Sequence, residues 1–208
     1  MKLHRLSLFG IAAFGLAAFT ACGEHPRFAN ANKANATPVV VVASPTPEAD
    51  RPALDVPYVP TPTAVLDEML KMAEVKKDDI LYDLGSGDGR IPIEAAKRFG
   101  TRGVGIDLDP VRVKEANENA EKEKVTDKVK FIQGDIFKED FSEATVVTLY
   151  LLPDVNVKLR PTILAMKPGT RIVSHNYDMG DWEPERSTKV TVGATDHWVH
   201  FWRVPEKK

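Results

Sequence analysis

The sequence predicts a three-layer α/β fold: a seven-stranded, mostly parallel sheet between helices, closed by a C-terminal antiparallel hairpin. Three observations predict it. Short apolar runs of strand length alternate with helical patterns between residues 80 and 175, and such alternation implies right-handed βαβ crossovers in a parallel sheet covered on both faces. The first strand runs through a glycine-rich turn into a helix, "YDLGSGDGRIPIEAAKRFG" at residues 82–100. The last two strand-like runs have no helix between them, so they pair as a hairpin and one of them runs antiparallel.

Each element has a local reason. Thr61 is expected to cap the first helix with Pro62 at its first position, and Val65, Leu66, Met69, Leu70 and Ala73 then recur at helical spacing. "DILYDLG" is a first strand ending in turn residues, and "IPIEAAKRFG" a helix stopped at Gly100. "GVGIDLD" is a second strand. Asp109 and Pro110 open a charged helix to about Glu123. "KVKFIQGD" and "ATVVTLYLL" are the third and fourth strands. "DVNVKLRPTILAMKPG" is helical in pattern, with Pro161 expected to kink or split it. "TRIVSHNY" is the fifth strand, and Thr188–Val192 and His197–Val204 the sixth and seventh.

The chain ahead of this domain reads differently. Lys2 and Arg5 precede an uncharged run from Leu6 to Ala21, the plan of a secretory signal peptide. "FTAC", Phe19 to Cys22, resembles a bacterial lipobox, in which the cysteine is lipidated. The expectation is therefore a signal peptide over 1–22, a disordered Pro/Ala-rich linker over 23–57 and a domain over 58–208. The linker holds most of the eight prolines that fall between Pro26 and Pro62, out of fifteen in the chain. An extracytoplasmic lipoprotein is expected, in contact with a membrane only through that N-terminal anchor or signal segment; a later start of the gene, which would need an initiation codon other than Met because none lies between Met1 and Met69, would leave the protein in the cytoplasm.

Composition sets limits. The 208 residues carry a formal net charge of -2, which argues against a nucleic-acid partner, since such proteins usually carry a basic excess. One cysteine excludes an internal disulfide and a cysteine-based zinc site. His197 and His200 lie three apart in a strand and so face opposite sides, which keeps them from sharing one ion; no metal is expected.

Three glycine-rich readings compete at residues 85–90. A phosphate-cradling P-loop needs Gly-x4-Gly-Lys-Ser/Thr, and Arg90 stands where its second glycine belongs. The dinucleotide fingerprint Gly-x-Gly-x-x-Gly fits Gly85 and Gly87, but its third glycine comes one residue early, at Gly89. What remains, Asp-Leu-Gly-Ser-Gly-Asp-Gly at residues 83–89, resembles motif I of the class I S-adenosylmethionine-dependent methyltransferases. That resemblance implies a Rossmann-like methyltransferase fold with S-adenosylmethionine as cofactor. The turn of Gly85, Ser86 and Gly87 would lie against the cofactor's amino-acid end, and Asp83 would meet its ammonium group. Asp107, at the end of the second strand, would accept the ribose hydroxyls, and Asp135, in "QGD", would bond the adenine amino group.

"PYVPTPTAVLDEML" and "TLYLLPDVNVKLRP" narrow the resemblance. They look like the small protein-lysine methyltransferases that modify the c-ring protein of ATP synthase and the adenine nucleotide translocase, with their bacterial relatives. In that group "YVPTP" closes over the cofactor, so Tyr58 and Thr61 would line the site. The partner implied is a protein presenting a lysine side chain, with the enzyme a monomer.

Ligands of open α/β sheets sit beyond the carboxyl ends of the strands. The acceptor is therefore expected at Tyr150, Pro153 and Asp154, with His175 and Asn176 beside it. Tyr150 is either a wall and hydrogen-bond acceptor for the amine or a packing aromatic. Asp154 either attracts a cation or caps a helix. Two other functions stay open: an exported binding module that keeps the cofactor fold without transfer, and a small-molecule methyltransferase.

Overall fold

The computed structural model describes residues 57–207. The signal peptide expected over 1–22 and all of the linker but Pro57 lie outside the described residues.

The order of elements is α1 (Thr63–Met72), β1 (Ile80–Leu84), α2 (Arg90–Phe99), β2 (Arg102–Asp107), α3 (Pro110–Lys122), β3 (Val129–Gln133), β4 (Val146–Leu149), α4 (Pro153–Ala165), β5 (Arg171–His175), β6 (Arg186–Val192) and β7 (Thr195–Arg203). They build one seven-stranded sheet in the order β3-β2-β1-β4-β5-β7-β6. The first five strands are mutually parallel, and β7 runs antiparallel to both β5 and β6. The expected fold and hairpin are thus present. Strand order reverses between β1 and β4, the place where an open α/β sheet leaves a crevice at its carboxyl edge.

Side-chain alternation along the strands fills two faces. Leu81, Val146 and Val173 pack with Val65, Leu66, Met69 and Leu70 of α1. Their neighbours Tyr82, Val147 and Ile172 pack with Val155, Leu159 and Ile163 of α4 on the other side. Among the described residues, no helix is long and apolar enough to cross a membrane.

Local chemistry explains the boundaries. Asp109 caps α3 by accepting the Val111 N–H at 2.8 Å, with Pro110 in the first turn. Gly100 ends α2 at φ 73°, a conformation that costs glycine little. One expectation is corrected and another narrowed. The N-cap of α1 is Pro62, whose carbonyl accepts from Val65 and Leu66; Thr61 is buried and its hydroxyl is used elsewhere. Of the two outcomes expected at Pro161, a kink or a split, the split is absent, since Pro161 lies within a continuous α4. Its ring is exposed, as is Val157 one turn earlier, so water can satisfy the carbonyl that loses a helical partner.

Candidate functional site

The crevice at the reversal of strand order is a cleft of roughly 960 Å³, counted out to its open mouth. The glycine turn forms its floor. Gly85 and Gly87 have φ of 78° and 53°, which L-residues with side chains rarely adopt. The turn is closed against β2 by bonds from the Gly85 and Ser86 amides to the Ile106 carbonyl, at 2.8 and 3.0 Å. A Cβ on Gly85 would stand 2.7 Å from Leu151, and one on Gly87 would enter the ring of Tyr58. Gly89 has a different task. As N-cap of α2 at φ 78°, its bare Cα lets the helix start close to Phe131 and Ala116. That explains why the third glycine comes early for a dinucleotide fold.

Three carboxylates stand around this floor. Asp83 is buried and accepts the Thr148 hydroxyl at 2.7 Å. Burial pushes its carboxyl up to about 7, and the charges of Asp107 and Asp88 add to the rise against the pull of the Thr148 bond. Asp107 accepts the Gly87 N–H at 2.7 Å and the Asp109 N–H at 2.9 Å, while its carbonyl accepts the Gly134 N–H at 3.0 Å. Burial raises its carboxyl as well, with the two backbone N–H bonds opposing. Asp135 is more open. The Phe137 N–H, at 3.0 Å, and then the Lys138 ammonium hold it below the usual carboxylate range.

The N-terminal arm covers one end. The Tyr58 ring lies against Gly87, with the Arg112 guanidinium 4.6 Å from its centroid. Thr61 is buried, its hydroxyl 3.2 Å from His175 Nδ1. Arg90 grips the Asp88 carboxylate with Nε and Nη2 and donates from Nη1 to the Thr61 carbonyl at 3.0 Å. Opposite, Ile136 and Phe137 supply apolar walls.

Tyr58, Thr61, Asp83, Gly85, Ser86, Gly87, Asp107, Asp135 and Tyr150 therefore all border one cleft. Asp154 and Pro153 do not. Asp154 sits exposed in the first turn of α4, because Val155 takes the inward position and lines the cleft in its place. His175 lies behind Tyr150, fully buried, and Asn176 turns its Oδ1 to the Trp198 N–H at 2.9 Å. His197 reaches His175 and His200 reaches Ser187, in keeping with opposite faces. Among the described residues no group of three or more His, Cys, Asp or Glu side chains could hold a metal ion. Sequence reasoning missed Arg112, Ile136, Phe137 and the clamp by Arg90. The only local signals were a basic residue just inside α3 and an apolar pair directly after Asp135.

The profile of the ANTKMT methyltransferase domain matches residues 83–186, from the carboxylate at the cleft floor to the start of β6. The chain belongs to this family. The family's match begins at Asp83 and takes in the glycine turn, Asp107, Asp135 and Tyr150. A protein-lysine N-methyltransferase of Saccharolobus islandicus is 46% identical over 155 residues, covering 74% of this chain and 96% of that relative. The human lysine N-methyltransferase of the ATP synthase c-ring protein is 31% identical over 133 residues, but the match spans only 56% of it. A crystal structure of an RNA methyltransferase from Salinibacter ruber in complex with S-adenosyl-L-homocysteine is 55% identical, with a TM-score of 0.67. It covers 72% of this chain and 96% of that one. The methyltransferase family expected from the glycine turn and the "YVPTP" arm is the one found.

Proposed function

We propose that the protein is an S-adenosylmethionine-dependent protein-lysine N-methyltransferase working at the cleft between β1 and β4. The observation that carries the reading is the carboxyl-lined floor: Asp83, buried beside the glycine turn with no cationic partner among the described residues, and Asp107, fastened to that turn, with the covering arm above. The residues fit the cofactor. Asp83 is suited to an ammonium group, since its neighbours Asp107 and Asp88 add only negative charge. The Ser86 residue borders the cleft, while its hydroxyl is buried against Gly105 with no partner among the described residues. Asp107 keeps lone pairs for two vicinal hydroxyls after accepting its two backbone bonds. Ile136 and Phe137 suit a flat aromatic ring, with Asp135 at its edge.

S-adenosylmethionine supplies a methyl group already activated on a sulfonium, so the protein's main contribution is alignment. A lysine acceptor must be neutral to attack. Its free pKa of ~10.4 falls on desolvation and near positive charge. Burial holds the Tyr150 phenol above its ordinary value, with Tyr177 adding to the shift. It therefore stays protonated near neutral pH and acts as a hydrogen-bonding wall for the amine, not as a base. Asp154, exposed outside the cleft, is suited only to attracting a cationic side chain as it approaches.

An RNA substrate is the second reading, favoured by the Salinibacter ruber relative. The formal net charge of -2 weighs against it, because RNA binding draws on phosphate neutralisation by basic residues. The test is a labelled-methyl assay on fractions of the native cells. Label in membrane-fraction protein, removed by protease, supports this reading and the anchored location suggested by residues 1–22. Label removed by ribonuclease overturns the protein substrate, and no transfer in any fraction leaves the binding-module alternative.

A further inference from the structure

We propose that His175 is a positioning residue for the arm, holding Thr61 against the cleft while His197 and Tyr150 fix its own ring. This rests on the cofactor site described above. His175 has no exposed surface. Its Nδ1 lies 3.2 Å from Thr61 Oγ1, its Nε2 lies 2.9 Å from His197 Nδ1, and its ring centroid is 3.7 Å from that of Tyr150. The three contacts come from three separate segments: the arm, β7 and the end of β4. A ring engaged at both nitrogens and covered on one face cannot turn without losing a bond.

Burial, and next the nearby His197, lower the imidazole to about 4, so it is neutral and carries one N–H. A neutral imidazole donates at one nitrogen and accepts at the other. The bond to His197 therefore decides whether His175 offers Thr61 a donor or an acceptor. The threonine hydroxyl adapts to either, but only one arrangement holds at a time. Thr61 is thereby held at two points. Its side chain is tied to the sheet through His175, and its carbonyl to the glycine turn through Arg90, which also grips Asp88. The arm that borders the cofactor cleft is thus registered by β5, away from the glycine turn, Asp107 and Asp135.

A purely structural histidine would lose stability in every variant alike. Calorimetric titration of the full chain with S-adenosylhomocysteine separates the two. His175→Asn places a polar atom where Nδ1 stood and keeps a partner for Thr61. His175→Gln reaches toward His197 and drops Thr61, and His175→Phe keeps the ring against Tyr150 and drops both bonds. The expected result is affinity within about twofold of wild type for the Asn variant, and a loss of about threefold to tenfold for Gln and Phe, as for one hydrogen bond. Thr61→Val should show the same loss alone and none further within His175→Gln. Affinity falling equally in all three, or wild-type affinity in the mild Thr61→Val exchange, overturns the proposal even if the histidine variants fold poorly. Wild-type protein that binds no S-adenosylhomocysteine overturns the cofactor reading itself, a result distinct from binding without the split.

Discussion

Asp107 accepts the backbone N–H of Gly87 at 2.7 Å, so the carboxylate ending β2 is fastened to the turn ending β1. Its other oxygen takes the Asp109 N–H and its carbonyl takes the Gly134 N–H. One residue therefore sets the relative positions of three loops at the carboxyl edge of the sheet. The arrangement orients the carboxylate before any ligand arrives, which lowers the ordering cost of binding.

Two losses are expected for Asp107→Ala. Affinity for S-adenosylmethionine should fall by about 1–3 kcal/mol as the ligand hydroxyls lose their acceptor. The free protein should also melt at lower temperature, because the Gly87 N–H loses its partner. Calorimetry and a thermal melt measure the two separately. Unchanged affinity with a lowered melting temperature would make Asp107 a structural tie only.

How far the sequence foretold this site depends on distance along the chain. Gly85, Gly87 and Asp83 are neighbours, and Asp107 and Asp135 follow strands whose apolar runs mark their ends, so local pattern sufficed. Thr61 bonds a residue 114 positions away and accepts from Arg90 at a separation of 29. Nothing local signals such pairs, so Thr61 read as a helix cap from its local pattern, and only the family resemblance put it at the cleft. Asp154 was placed near the chemistry by the strand-end rule, but a helical step of about 100° per residue gives Val155 the inward place. Pro161 left a split open alongside a kink because propensity ignores whether the orphaned carbonyl can reach water.

Asp83 makes cofactor affinity depend on pH. Its folded pKa of about 7 stands above the ordinary 3.8, so the free protein holds a proton there that the unfolded chain releases. Stability of the free protein should accordingly fall as pH rises between those two values. An ammonium group bound beside Asp83 needs the carboxylate, so binding below pH 7 must expel that proton. Affinity should rise by up to about tenfold per pH unit below 7 and level off above it. Titration at pH 6 in two buffers of different ionisation enthalpy should count close to one proton released. Asp83→Asn should bind weakly and without that slope; a wild-type protein releasing no proton at pH 6 would exclude Asp83 as the ammonium partner.

Gly87→Ala should separate binding from folding. The new Cβ meets the Tyr58 ring, with Cδ2 at 2.9 Å, and φ of 53° adds strain of about 1 kcal/mol or more. Tyr58 is 40% exposed, so its ring can swing into solvent without emptying the core. The expected outcome is a small drop in melting temperature with a large loss of cofactor affinity, as the arm lifts from the turn. Near-normal affinity would mean that the arm takes no part in binding.

Arg171→Met should do the reverse. Arg171 and Asp79 form a part-buried ion pair at the opposite edge of the sheet, where Arg171 also donates to the Ala73 and Glu74 carbonyls behind α1. Asp79 keeps the Lys76 N–H and the Thr145 hydroxyl, but neither neutralises its charge. Removing one partner of a fully buried pair costs about 3–5 kcal/mol because the other is left uncompensated, and an exposed pair about 0–1 kcal/mol, so a loss between these limits is expected for this part-buried pair. None of these groups borders the cleft. Denaturant unfolding should register the loss while affinity for S-adenosylmethionine at low temperature stays within about twofold. If affinity fell with stability, the cleft would depend on global rigidity, and the selective effects expected at Gly87 and Asp107 could no longer be read as local contacts.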